Sequence, residues 1–151
     1  MRSPFAPLLA AITIVCACAC LMAPSAQAAK APMSLAALAT ASDTIVTGQV
    51  VKVEMKIEKA KRCRALGSKD KVYTLTVRIS QVIKGEGLKV GDEITVEAWE
   101  VHRRVGEARI GLQSYENIPK KGERRMFYLM KESDLHVPLH PNGIQLHEEK
   151  G

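Results

Sequence analysis

Residues 51–58 alternate without error along the chain. Val51, Val53, Met55 and Ile57 fall on one side, and Lys52, Glu54, Lys56 and Glu58 on the other. A period of two predicts a half-buried strand. Just upstream the phase is opposite, with Val46, Gly48 and Val50 forming the apolar-or-small set. A switch between Val50 and Val51 exchanges the two faces, as a β-bulge or sharp bend does. Gly48 is where a barrel strand can bend tightly.

The pattern breaks over residues 59–71 and resumes as a second strand. There Tyr73, Leu75, Val77 and Ile79 alternate with Thr74, Thr76, Arg78 and Ser80, up to Lys84-Gly85-Glu86-Gly87. Gly91-Asp92 opens a third strand with Ile94, Val96 and Ala98 inward, and Trp99 and Val101 predict another change of phase. Residues 102–122 read as a long polar connection. Met126–Met130 is apolar on both faces, which predicts a central strand. Pro141-Asn142-Gly143 marks a turn between Leu135–Leu139 and Ile144-Gln145-Leu146. Ser34 is a fitting N-cap for a short helix at about 34–41. About five strands with phase-shifting bends predict a closed or nearly closed antiparallel β-barrel with one short N-terminal helix. A seven-stranded sandwich needs more strands than the sequence offers.

The first 28 residues stand outside this pattern. Arg2 is followed by an apolar run to Ala23, then Pro24, then Ser25-Ala26-Gln27-Ala28 with small residues at the positions a signal peptidase inspects. This predicts a signal peptide cleaved after Ala28, a secreted or periplasmic product, and one domain over residues 29–151 with no transmembrane segment. Lipoprotein anchoring is disfavoured, because the residues before Cys18 and Cys20 fit a lipobox poorly. Cleavage removes Cys16, Cys18 and Cys20 and leaves Cys63 alone, so no internal disulfide can form. With Arg2 gone the formal charge falls from +6 to +5.

Several short runs resemble the netrin-type domains, the superfamily that includes the tissue inhibitors of metalloproteinases. They are Ala41-Ser42-Asp43-Thr44-Ile45-Val46-Thr47-Gly48-Gln49-Val50, Tyr73-Thr74-Leu75-Thr76-Val77, Val82-Ile83-Lys84-Gly85 and Gly122-Glu123-Arg124. Exported bacterial proteins of unassigned function look similar. The resemblance covers about residues 41–131 and implies a five-stranded OB-fold-like barrel. It transfers no inhibitory residue: those inhibitors chelate zinc through an N-terminal cysteine, and the new terminus here is Ala29-Lys30.

Most charges are mixed in sign, but one segment is not. Lys56, Lys59, Lys61, Arg62, Arg64, Lys69 and Lys71 crowd the connection between the first two strands, against Glu58 and Asp70. In an OB-fold that loop borders the ligand face. Lys59, Lys61, Arg62, Arg64, Lys69 and Lys71 are therefore candidate ligands for an anionic polysaccharide or envelope component. Nucleic acid is disfavoured, since no aromatic rings for base stacking are interleaved with these cations. The bland alternative is a solvated loop kept soluble by its charge. Cys63 lies between Arg62 and Arg64, where positive charge favours thiolate, and is a candidate for an intermolecular disulfide. His136, His140 and His147 are a poor metal set: Pro138 and Pro141 forbid a helix, and on a strand the first two lie more than ~10 Å apart.

No hydrolase, redox or phosphate-loop motif occurs, so no catalytic residue, metal or cofactor is expected. The sequence thus points to a non-enzymatic binding module that contacts an anionic macromolecule or a protein partner. The alternatives are an envelope-associated structural protein dimerised through Cys63, and a secreted hydrolase inhibitor.

Overall fold

The computed structural model describes residues 31–61, 67–105, 114–115 and 117–147. The expected signal peptide at 1–28, together with Arg62, Cys63 and Arg64, lies outside the described residues. The order of elements is α1 (Leu35–Ala41), β1 (Thr44–Lys59), β2 (Lys69–Lys84), β3 (Glu93–Arg103), β4 (Arg124–Glu132), β5 (Leu135–Pro138) and β6 (Ile144–Leu146). The protein is mostly β, with one short helix.

Five strands form a ring in the order β1-β2-β3-β5-β4, returned to its start by a β1–β4 pairing, with β6 on the side of β4. All pairings are antiparallel except β3–β5, which meet in parallel at Val96 and His136. Strand β1 reaches both neighbours because its pairing with β2 slips three times, between Ile45 and Val46, Thr47 and Gly48, and Val50 and Lys52. The last slip leaves Val51 as the extra residue, at the phase exchange predicted from sequence. Gly48 serves the same bend by close approach. A Cβ there would stand 2.5 Å from Val77 Cγ1 and 2.8 Å from the Arg78 carbonyl oxygen.

The change of phase expected at Trp99 is corrected by the register. Pairing of β3 with β2 runs unbroken from Glu93 to Val101, so Ala98 and Trp99 project to opposite faces. Both are buried. Trp99 is covered from its own side, edge-on by Tyr115 at 6.0 Å and face-on by His140 at 5.5 Å.

Two apolar clusters share β4, which explains its two apolar faces. Phe127 and Leu129 belong to the main core inside the ring, with Val46, Val50, Leu75, Val77, Val96 and Ile144. Tyr128 belongs to a smaller cluster with Leu38 of α1, Ile45 and Leu139. Helix α1 is too short to be stable alone, and it is held at both ends. Ser34 accepts from the Ala37 N–H at 3.2 Å, and Lys84 Nζ donates to the carbonyls of Ala39 and Ser42. Asn142 holds the segment before it, accepting from the Met33 N–H at 3.0 Å and donating to the Met33 carbonyl at 2.9 Å.

Candidate functional site

Where β1 leaves β4, the chain opens a wedge. Through Gln49 the strand pairs with β4, and Val50 exchanges backbone hydrogen bonds with Gly122 and Glu123. Beyond Val51 it continues beside β2 alone among the described residues, while the chain entering β4 diverges as the 117–123 loop. Between them lies a groove of about 560 Å³. Val53, Tyr73 and Glu100 line it from β1, β2 and β3, and Tyr115, Ile118, Lys120 and Lys121 from the loop side.

Tyr73 Oη donates to Glu100 Oε2 at 2.8 Å, and Lys71 Nζ lies 3.5 Å from Glu100 Oε1. Burial, then the hydrogen bond and charge of Glu100, push the Tyr73 phenol above its ordinary range. The Glu100 carboxylate is thus engaged by a phenol and an ammonium. That arrangement orients polar groups against an apolar floor; it presents no activated nucleophile.

The basic segment forms the far end of the β1–β2 hairpin. Strand pairing continues to Lys59 and Lys69, so the pattern break at 59–71 is narrower than the sequence reading implied. Lys59 and Lys69 stand directly opposite each other in register, and both are exposed, as is Lys61. Lys71 is half-buried and turned to Glu100. Asp70, counted from sequence merely as one of two acids in a basic loop, is buried. It faces Arg104 at 2.5 Å with both side chains almost fully enclosed (3% and 6% exposed). Arg104 also donates to the Lys69 carbonyl at 3.0 Å. This pair fastens the hairpin to the end of β3, and no spacing in the sequence could have disclosed it.

The histidines do not converge. His140 stacks on Trp99, His136 sits on β5 opposite Lys131, and His147 follows β6. Among the described residues no three His, Cys, Asp or Glu side chains gather as a metal set. Burial, then the charge of Lys131, lowers the pKa of His136, against a hydrogen bond to the Thr95 backbone that raises it. No helix among the described residues is long and apolar enough to cross a membrane.

Comparison with protein-family models, with curated proteins and with solved structures finds no match for this chain.

Proposed function

We propose that this protein is an exported, non-enzymatic binding module of OB-fold-like architecture that holds an anionic polysaccharide or a similar envelope polyanion at its β1–β2 hairpin. The strand order, with a parallel β3–β5 contact inside an otherwise antiparallel ring, supports that architecture. One observation carries the binding reading. Lys59 and Lys69 face each other across the hairpin end with Lys61 beside them, all exposed. Like charges directly opposite on paired strands disfavour the hairpin, and a bound polyanion relieves that repulsion. Lys120 and Lys121 line the groove beside Val50, at the other end of the open half of β1, and Lys71 is committed to Glu100. The apolar groove floor suits the uncharged faces of sugar rings.

Heparin chromatography tests the reading. The protein is expected to be retained at low salt and released at moderate salt, because the attraction between exposed charges is screened. Replacing Lys59, Lys61 and Lys69 together by Ser should abolish retention with an unchanged far-UV circular dichroism spectrum. Replacing Lys89 and Lys131, which are exposed elsewhere, should leave it nearly intact. Equal loss in both variants would reduce the retention to overall charge and end the proposal.

A further inference from the structure

Past Val51, one side of β1 has no strand partner among the described residues. Among the described residues no strand and no backbone hydrogen bond engages the outer edge of residues 51–59, over a length of about 30 Å. Met55 and Ile57 are each 48% exposed there, and Lys52, Glu54 and Lys56 are exposed too. An unpaired edge of this length is a template for another strand. Proteins that forbid such pairing commonly set charges of one sign along the edge, so that a second copy is repelled. Here the charges alternate in sign as Lys52, Glu54, Lys56, Glu58.

We propose that this edge pairs with the same edge of a second copy, antiparallel about a two-fold axis through Met55. In that register Lys52 faces Glu58, Glu54 faces Lys56, Val53 faces Ile57, and Met55 meets its own copy. The two-fold repeats each contact, so four opposite-charge pairs form along one face and the apolar side chains pair along the other. Sliding by one pleat either way destroys this: one slide sets Lys52 against Lys56 and Glu54 against itself, the other Glu54 against Glu58 and Lys56 against itself. The sequence of the edge is therefore self-complementary in a single central register, the property an isologous interface requires. The Lys52–Glu54 ion pair of the single chain (2.9 Å, both side chains more than half exposed) is exchanged for contacts across the axis. The dimer depends neither on Cys63 nor on the polyanion reading.

Sedimentation equilibrium under reducing conditions tests it. The purified protein should dimerise reversibly. Lys52→Glu with Lys56→Glu makes the edge wholly acidic, and Glu54→Lys with Glu58→Lys makes it wholly basic. Each variant alone should dissociate, with affinity weakened by roughly a hundredfold as four pairs change sign. Mixing the two variants should restore a heterodimer. Register is read by oxidation in a Cys63→Ser background: Met55→Cys should cross-link to its copy and Val53→Cys should not. A protein monomeric at every concentration, reversals that leave the dimer intact, or cross-linking through position 53 instead would overturn the proposal.

Discussion

The two halves of β1 are one strand under two regimes. From Ile45 to Gln49 it is paired on both sides, and from Thr44 to Val50 every residue but Gln49 is buried. From Val51 to Lys59 it keeps one described partner, and its side chains are exposed or half-buried. The sequence changes with the coverage: the first half carries no charged residue, while the second alternates apolar residues with Lys52, Glu54, Lys56 and Glu58. The number of neighbours changes at the same place. β-Branched residues fill the half covered on both sides, and charges are tolerated where one side is open, as expected when strand preference reflects packing context. The bulge at Val51 divides the half covered on both sides from the half left with one described partner.

That contrast can be broken in descending steps. Phe127 is fully buried in the ring beside the closed half of β1. Phe127→Ala should cost about 3–5 kcal/mol in equilibrium urea unfolding. The hairpin has one comparably costly point, the enclosed Asp70–Arg104 pair. Asp70→Ala leaves the guanidinium buried without its carboxylate and should cost about 3 kcal/mol. Hydrogen exchange should show its effect concentrated at the hairpin end. Gly48→Ala forces a methyl against Val77 and the Arg78 carbonyl, and should cost about 1–3 kcal/mol. By contrast, Met55→Thr or Ile57→Thr on the open half should change monomer stability by less than about 0.5 kcal/mol, measured at low protein concentration. A cost at Ile57 equal to that at Gly48 would erase the distinction between the halves.

The smallest effect concerns pH. The folded pKa of His136 lies below its unfolded value, so the unfolded chain binds the extra proton first as pH falls. The stability linked to His136 is therefore complete above about pH 6.5 and is lost as pH drops from there through the lowered folded pKa. His136→Gln should flatten that part of the stability–pH curve. An unchanged curve would show that His136 contributes nothing to it.

How much of this was legible in the sequence follows from the range of the forces involved. The bulge at Val51 was legible because an exchange of faces appears as a shift of phase within one segment. The two-sided apolar run at Met126–Met130 and the turn at Pro141-Asn142-Gly143 were legible because each is a local signal, an unbroken apolar stretch and a turn-forming triplet. Trp99 was misread because period alone cannot tell a register slip from a strand covered on both sides. Its covers, Tyr115 and His140, come from distant parts of the chain. The Asp70–Arg104 pair was invisible because it joins residues 34 positions apart. The groove was equally hidden, since it exists only where the 117–123 loop diverges from β1. The basic character of the hairpin was plain from composition, but not that Lys71 is turned inward to Glu100.

The reciprocal clasp between Met33 and Asn142 has a practical corollary. It fastens the beginning of the described chain to the turn just before its last strand, beside the helix that leads into Thr44. Lys59 lies at the far end of the sixteen-residue strand β1, about 50 Å along it for an extended chain. A label attached beside Met33 or Asn142 would therefore sit at the opposite end of β1 from Lys59 and its partner Lys69.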